Sequence, residues 1–191
     1  SKAAMDINRR VEALLAQHPD TEAGNARFTA SERQLLAQYS GAGGKAKAGA
    51  RGQGLLYEYY TPPWLCEKMW QVARHHGGVP ERVLEPSAGT GNFLKGAGAA
   101  AVTAFEVNPV SARICRIRFP EAEVHTAPFE AAFRACRPEA RLLTIGFASG
   151  EVPQIKANHL MVKNLSLMGL YWGGYLGFNP QALTESLQQL L

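Results

Sequence analysis

The segment Glu85–Leu94 carries the residues whose types and spacing are best suited to binding a ligand. It reads Glu-Pro-Ser-Ala-Gly-Thr-Gly-Asn-Phe-Leu, and Gly89 and Gly91 allow its backbone to turn tightly and to approach a ligand closely. Dinucleotide-binding loops use a third glycine to pack the following helix, and Leu94 stands at that position here. The segment therefore departs from the pattern of a dinucleotide loop.

Acidic residues end the two strands that are predicted around this loop. Glu85 ends the first strand, where its charge would repel a diphosphate. Glu106 lies about 20 residues further on, where an acid commonly accepts hydrogen bonds from ribose hydroxyls. A ligand that has an ammonium group and a sulfonium but no diphosphate suits these charges, and S-adenosyl-L-methionine is such a ligand. The alternative for Glu106 is an acid that faces solvent at a strand end.

Alternating strands and helices position these residues. The pattern predicts strands at 82–85, 101–106, 122–125, 141–147 and 165–171. It predicts a helix that starts at 91–95, helices at 109–118 and 129–136, and a last helix from Pro180, capped by Asn179. Strand–helix alternation indicates a mainly parallel sheet covered on both faces. The predicted fold class is α/β, a Rossmann-like doubly wound sheet with an N-terminal helical extension.

The N-terminal extension is predicted at residues 1–54. Residues 6–40 favour two helices, one capped by Asp6 and one that begins with the capping box of Thr29 and Glu32. The glycine- and alanine-rich stretch 41–54 is either a linker or a phosphate-contacting loop. A further helix is predicted to open at Pro62 and to end at the glycine pair 77–78.

Three segments together resemble the N6-adenine DNA methyltransferases. Segment 82–94 resembles motif I of that family, segment 106–109 resembles motif II, and segment 59–64, with Met69 on the helix after it, resembles motif X. In the family, motif X folds over the methionine end of the cofactor. The resemblance covers roughly residues 25–130 and implies DNA methylation chemistry with S-adenosyl-L-methionine. The cofactor-binding residues that motif and resemblance assign are Tyr60, Thr61, Glu85, Pro86, Ser87, Ala88, Gly89, Gly91, Asn92, Glu106 and Val107.

The tetrapeptide that such an enzyme needs for catalysis is missing. An (Asn/Asp/Ser)-Pro-Pro-aromatic segment accepts hydrogen bonds from the adenine amine and stacks a ring on the flipped base. Segments 108–110 and 179–181 lack the second proline and the ring, and segment 61–64 (Thr-Pro-Pro-Trp) occupies the motif X position. The acid that the family places on the cofactor's adenine amine is also absent, since 127–129 reads Ala-Pro-Phe. No catalytic residue is therefore assigned.

The C-terminal part resembles a different family. Segments 141–155 and 158–173 resemble the zinc-independent NADPH:quinone oxidoreductases of the medium-chain dehydrogenase superfamily, where they supply the last two strands of the Rossmann domain. The diphosphate loop of that family is missing here. The chain therefore looks like a chimera in which 55–129 is methyltransferase-like and 130–191 is quinone-oxidoreductase-like.

The predicted junction has a structural consequence. Segment 82–85 should be flanked on one side by the other methyltransferase-like strands, but neither family's fourth strand is visible between His125 and Arg141. Segment 141–147 should close the resulting gap beside the first strand. Otherwise a second copy of the chain could pair with the unpaired edge and give a homo-oligomer.

Composition narrows the class of protein only slightly. The net charge of +4 and the pI of about 9.1 permit weak, non-specific DNA binding without requiring it. Three cysteines without metal-ligand spacing predict free thiols and no metal site. The apolar runs are too short to span a bilayer, and no segment has the pattern of a secretory signal. A cytoplasmic protein without membrane contact is the resulting expectation.

The sequence thus predicts the S-adenosylmethionine-binding domain of an adenine-N6 DNA methyltransferase, incomplete and catalytically inactive as this chain. The alternative is an NADPH-binding fragment of a quinone oxidoreductase.

Overall fold

The computed structural model describes residues 2–41, 60–144, 154–169 and 174–190 of the chain. Within these ranges the chain forms a mixed α/β structure in which all paired strands are parallel. The helices are α1 (Lys2–Leu15), α2 (Glu22–Asn25), α3 (Ala30–Leu36), α4 (Pro63–Gly77), α5 (Pro109–Arg118), α6 (Phe129–Ala135), α7 (Ala157–Val162), α8 (Tyr175–Phe178) and α9 (Pro180–Leu190). The strands are β1 (Arg82–Glu85), β2 (Ala101–Glu106), β3 (Glu123–Thr126), β4 (Arg141–Thr144) and β5 (Ser166–Gly169).

A three-stranded parallel sheet holds the two acids at one edge. Its strand order is β1-β2-β3, and Glu85 on β1 is aligned with Ala104 on β2. Glu106 on β2 is aligned with Thr126 on β3. Because parallel strands end at the same edge of a sheet, the segments after β1 and β2 lie next to each other.

Helices cover both faces of this sheet. Successive side chains of a strand point to opposite faces, and Ala104 packs in a cluster with Cys115 of α5. Leu84 is aligned with Thr103, the neighbour of Ala104, so it lies on the opposite face. There Leu84 packs against a cluster that contains Phe133 of α6. The expected helix–sheet–helix layering is therefore present around β1, β2 and β3.

The prediction of one continuous sheet is not met in the part of the chain that the structure describes. Strand β4 pairs with β5 in a separate two-stranded sheet, with Arg141 aligned with Ser166. The segment that was expected to close the gap beside β1 makes no backbone pairing with β1 in the described residues. Leu84 of β1 and Leu142 of β4 instead pack against the same apolar cluster, so the two sheets meet through side chains.

The N-terminal helices share a hydrophobic core with α5. Ile7 packs against this core, and the apolar face predicted for α1 is otherwise buried. Each fully buried aliphatic side chain stabilises the fold by about 1.5–3 kcal/mol relative to exposure. The extension is therefore held against the sheet domain by apolar burial. The buried members of this core are Val11, Leu14, Leu15, Phe28, Leu36, Tyr39, Ile114 and Ile117.

Arg113 of α5 also binds the N-terminal helices through hydrogen bonds. Its guanidinium donates to the Leu15 carbonyl at 2.8 Å, to the His18 carbonyl at 2.6 Å and to Asn25 Oδ1 at 3.2 Å. The Leu15 carbonyl lies at the end of α1, where carbonyl groups have no partner within the helix. Arg113 therefore caps α1 from a helix that lies 98 residues away in the sequence.

Several local predictions are corrected. Helix α1 includes residues from Lys2, so Asp6 lies inside it rather than at its cap and faces Arg9 at 3.6 Å. The extension contains three helices, since α2 begins with Thr21 as its cap. No α-helix begins at 91–95. The chain there makes hydrogen bonds between residues three apart, such as the bond from the Leu94 N–H to the Gly91 carbonyl at 3.1 Å. It continues into a 3-10 helix at Leu94–Ala97.

Other local predictions are confirmed. The capping box of Thr29 and Glu32 is present at α3, and the cap of α9 is formed by Asn179 Oδ1, which accepts from the Ala182 N–H at 3.1 Å. Strands β1 and β2 and helix α5 have the predicted bounds, and β3 is displaced by one residue. The predicted positions 145–147 and 170–171 lie outside the described residues, as does the stretch 42–54.

The three cysteines are free, as predicted, and all three are buried. In the described ranges, no helix is long and apolar enough to cross a membrane.

Candidate functional site

The glycine-containing loop after β1 lies against the end of β2. The Ala88 N–H donates to the Phe105 carbonyl at 2.9 Å, and the Gly91 N–H closes a turn on the Ala88 carbonyl at 2.8 Å. Gly89 and Gly91 have φ angles of +54° and +87°, which is the left-handed region that favours glycine. The sequence therefore identified the turn correctly, and the backbone conformation explains both glycines.

Close packing gives Gly91 a second reason to be glycine. A Cβ atom built there would lie 2.7 Å from the Phe119 ring and 2.9 Å from Cys115 Sγ, both closer than van der Waals contact allows. A Cβ on Gly89 would lie 3.1 Å from the ring of Tyr60. Side chains of Phe119, Cys115 and Tyr60 therefore approach the two glycines on these sides.

Glu106 joins the loop to the end of β2. Its Oε2 accepts a hydrogen bond from the Gly89 N–H at 2.7 Å, and its Oε1 accepts one from the Asn108 N–H at 2.7 Å. Glu106 is half-buried. In the alternative interpretation Glu106 was an acid that only faces solvent. Its carboxylate instead accepts hydrogen bonds from the backbone of the candidate site.

Glu85 lies near Glu106 at the same sheet edge. Its Oε1 accepts a hydrogen bond from the Ser87 N–H at 3.0 Å. Burial raises the pKa of the Glu85 carboxyl above its usual value; the Ser87 hydrogen bond opposes that rise, and the negative charge of Glu106 adds to it. Two carboxyl groups thus flank the loop, and a cation placed between them would be attracted to both.

The segment around Tyr60 and Thr61 contacts the loop from the other side. Asn92 Nδ2 donates to the Thr61 carbonyl at 3.0 Å. The Tyr60 hydroxyl lies 2.6 Å from Ser111 Oγ on α5. The structure therefore brings segment 60–61 to the glycine loop, although about thirty residues separate them in the sequence.

Arg118 is a residue of the site that sequence reasoning missed. Its guanidinium donates to the Thr90 carbonyl at 2.5 Å, to Thr90 Oγ1 at 3.3 Å and to Asn92 Oδ1 at 3.1 Å. Burial lowers its pKa below the usual value. Nothing in the sequence distinguishes this arginine from the others on α5, because its role depends on how α5 packs against the loop.

Most of the predicted site residues are brought together, with differing exposure. Pro86 is half-buried, Ser87 is exposed, and Ala88 is buried beneath the loop. Val107 follows Glu106 with 47% of its surface exposed. An apolar side chain that projects into solvent beside Glu106 is available to a ligand.

Both Asn-Pro segments are occupied as helix caps. Asn108 Oδ1 accepts from the N–H groups of Val110 and Ser111 at 2.8 and 3.3 Å, and Asn179 caps α9. Trp64, in the remaining near match, stands on the first turn of α4 with 66% of its surface exposed. Neither asparagine side chain is free to orient an adenine amine in this structure.

Segment 127–129 continues from β3 beside the site. The Ala127 N–H donates to the Glu106 carbonyl at 3.1 Å, and Phe129 begins α6. In the described ranges, no cluster of three or more histidine, cysteine or acidic residues could hold a metal ion.

Comparison with known proteins shows two kinds of relative. The chain is 40% identical over 106 residues to "Defense against restriction protein B" of Escherichia phage P1, a match that covers 55% of this chain and 4% of that protein. It is 54% identical over 50 residues to a "Quinone oxidoreductase-like protein 2 homolog" of Nematostella vectensis, covering 26% of this chain and 14% of that protein. It is 41% identical over 63 residues to "Quinone oxidoreductase-like protein 2" of Bos taurus, covering 33% of this chain and 18% of that protein.

These matches confirm the expected likeness to quinone oxidoreductases for a short segment, and they also show a likeness to the phage protein. None of these relatives is described as a methyltransferase, so the resemblance to methyltransferases stays a prediction. The chain spans less than a fifth of the length of each of these relatives. No family model matches the chain, and no solved structure matches it.

Proposed function

We propose that this chain is a Rossmann-like module that binds S-adenosyl-L-methionine or its demethylated product and that it transfers no methyl group. The observation that supports this most is the contact between Glu106 and the glycine loop, with Glu106 Oε2 2.7 Å from the Gly89 nitrogen. This contact brings motif-like segments that are separate in the sequence together at the carboxyl edge of a parallel sheet. It supports the proposal because α/β folds bind ligands at that edge.

The two acids beside the loop favour a cationic ligand over a diphosphate, while the guanidinium of Arg118 is engaged by Thr90 and Asn92 of the loop. Glu85 and Glu106 flank the loop, and repulsion from the negative charge of Glu106 adds to the rise in the pKa of the Glu85 carboxyl. An ammonium or sulfonium group would relieve that repulsion, whereas a diphosphate would increase it. The hydroxyls of a ribose would donate hydrogen bonds to the Glu106 carboxylate in place of the Gly89 N–H.

The fold supports the same proposal. The order β1-β2-β3 with α5 and α6 on opposite faces corresponds to one half of a doubly wound sheet. In such a half the first loop and the end of the second strand form the nucleoside site.

Catalysis is not proposed, because the positioning group is missing. Methyl transfer accelerates only when the acceptor nitrogen is held in line with the methyl group. Asn108 and Asn179 serve as helix caps, and Thr61 is engaged through its carbonyl by Asn92.

An NADPH-binding function is the second candidate. The quinone oxidoreductase-like relatives support it, and so does the parallel pair β4–β5. The diphosphate loop that such a function needs is not found in the sequence, and the loop after β1 has acids beside it instead.

The lengths of the matches are compatible with a chain that consists of two parts with different relatives. The phage match has 106 residues, about the length of segment 25–130, and the bovine match has 63 residues, about the length of segment 130–191. We propose that the two parts have different origins and that the phage-like part carries the ligand site. The phage relative's name refers to defence against restriction, and a module that binds a methyl donor is compatible with a role of that kind.

Ligand-dependent thermal stability tests the proposal. The protein would be heated with S-adenosylhomocysteine and, separately, with NADPH. A ligand at about one hundred times its dissociation constant stabilises the folded state by about 2.7 kcal/mol. We expect stabilisation with S-adenosylhomocysteine and none with NADPH. The reverse result would favour the second candidate, and no shift with either ligand would refute both.

Two variants locate the binding. Glu106→Ala removes the carboxylate at the loop and should abolish the shift. Glu123→Ala is the matched control, because Glu123 is an exposed acid at the start of the neighbouring strand and faces His125. Loss of the shift in both variants would contradict the assigned site.

A further inference from the structure

Tyr60 lies where three parts of the molecule meet. Its hydroxyl is 2.6 Å from Ser111 Oγ on α5. Its ring packs edge-on against Tyr39, with ring centroids 6.4 Å apart. Its ring edge also lies where a Cβ on Gly89 would approach it to 3.1 Å. One side chain therefore contacts α5, the N-terminal extension and the glycine loop.

The contact with α5 is fixed by burial. Ser111 is fully buried, and a buried hydroxyl that loses its hydrogen-bond partner destabilises the protein because water cannot replace that partner. The hydroxyl pair of Tyr60 and Ser111 therefore sets where the ring of Tyr60 lies.

The contact with the extension comes from the shared core. Tyr39 is buried in the same cluster as Leu36 of α3 and Ile114 of α5, and Tyr60 packs against that cluster. The position of Tyr60 thus depends on how the N-terminal helices pack on α5.

The contact with the loop is strengthened by the next residue. The Thr61 carbonyl accepts from Asn92 at 3.0 Å, and Gly89 in turn donates to Glu106. Segment 60–61 therefore contacts the loop at two points, at Gly89 by packing and at Asn92 by a hydrogen bond.

We infer that Tyr60 is a positioning residue that couples the N-terminal helices to the glycine loop, which makes those helices part of the scaffold of the ligand site. The coupling itself rests on contacts within the protein. Its consequence for ligand affinity rests on the proposed function.

Hydrogen exchange of single backbone amides measures the coupling without a ligand. The Gly89 N–H is protected by its bond to Glu106, so its exchange rate reports opening of the loop. The Cys115 N–H, in the buried part of α5, serves as a reference for global unfolding. Exchange is compared in the wild type, Tyr60→Phe, Ser111→Ala and the double variant.

We expect Tyr60→Phe and Ser111→Ala each to speed exchange at Gly89 relative to Cys115 by about two- to tenfold, the range for loss of one intramolecular hydrogen bond. The double variant should exchange no faster than the faster single variant, because both substitutions remove the same bond. If Tyr60→Phe does not fold, Ser111→Ala carries the test alone.

Phe28→Leu perturbs the N-terminal core, in which the Phe28 ring is placed against His18 and Arg113. If Tyr60 couples the N-terminal helices to the loop, this variant should also speed exchange at Gly89 relative to Cys115, and its effect should be smaller in the Tyr60→Phe background. Phe133→Leu, in a separate apolar cluster, is the matched control. Exchange at Gly89 that is unchanged in the Tyr60, Ser111 and Phe28 variants, or that changes equally in Phe133→Leu, would overturn the inference.

Affinity for S-adenosylhomocysteine separates this inference from the proposed function. If the ligand binds, Tyr60→Phe should weaken it by a factor similar to the change in exchange. If the wild type does not bind it, the proposed function fails, while the exchange data still decide whether Tyr60 couples the helices to the loop.

Discussion

The Glu106 carboxylate accepts a hydrogen bond of 2.7 Å from the backbone N–H of Gly89. Glu106 therefore already holds the loop that the ligand is expected to occupy. A ribose diol that binds Glu106 must take over this bond or share the carboxylate with it. Ligand binding and loop position are thus linked through one side chain.

Replacing Glu106 should weaken ligand binding more than replacing Glu85 does. A charge-assisted hydrogen bond to a carboxylate contributes about 1.5–3 kcal/mol. We expect Glu106 to make two of them with a ribose, by sharing or giving up its bonds to the Gly89 and Asn108 N–H groups. Calorimetric titration of S-adenosylhomocysteine into Glu106→Ala and Glu85→Gln measures the difference. Equal affinities in the wild type and Glu106→Ala would show that the acid does not hold the ligand.

The stability of the protein should depend on pH through Glu85. Its folded-state pKa lies above its ordinary value of 4.5, so the folded state binds the proton more tightly than the unfolded state does. Stability is lost as the pH rises from about 4.5 through the folded-state pKa. We therefore expect Glu85→Gln to stabilise the protein at pH 7 relative to the wild type and to lose this advantage near pH 4.

Chemical denaturation at both pH values measures this effect. Glu123→Gln is the control, since Glu123 is exposed on the neighbouring strand. A Glu85→Gln effect that is the same at pH 4 and pH 7 would count against a raised pKa.

Arg113→Met should destabilise the protein substantially. The variant keeps an apolar stem but removes the bonds to the carbonyls of Leu15 and His18, and hydrogen bonds from charged groups contribute about 1.5–3 kcal/mol. Arg9→Met is the comparison, because Arg9 forms an exposed ion pair with Asp6 and such pairs contribute about 0–1 kcal/mol. Urea denaturation of the two variants tests the prediction. A similar loss in both would mean that Arg113 does not fasten the N-terminal helices.

The protein should transfer no methyl group to adenine in DNA. The asparagines of both Asn-Pro segments cap helices, so neither of them is placed to align the amine with the methyl donor. Labelled S-adenosylmethionine would be incubated with mixed-sequence DNA, duplex and single-stranded, and the label on adenine compared with a control without protein.

Label above that control would contradict the prediction. Trp64→Ala would then show whether segment 61–64 acts as the base-binding element, because Trp64 is the exposed ring of that segment.

Local sequence was sufficient to predict the elements whose ends are set by their own residues. The capping box at Thr29 and the Asn-Pro caps at Asn108 and Asn179 fix where three helices begin. Cap side chains bond to backbone only two or three residues away, so no distant contact is needed. The prediction failed at Asp6, where the helix includes residues before the apparent cap.

The sequence also determined that the loop after β1 turns at Gly89 and Gly91, because the left-handed backbone at both positions favours glycine. Motif and resemblance also assigned Glu106 and Tyr60 to the same site, but only the tertiary structure decided how these residues contact the loop and that Arg118 joins them. The three side chains lie 17 to 29 residues from the loop residues that they contact, and they belong to Glu106, Arg118 and Tyr60. Strand β4 likewise pairs with β5 rather than with β1. Such contacts depend on how helices and strands pack together, and the residue types along the chain do not encode that packing in any local pattern.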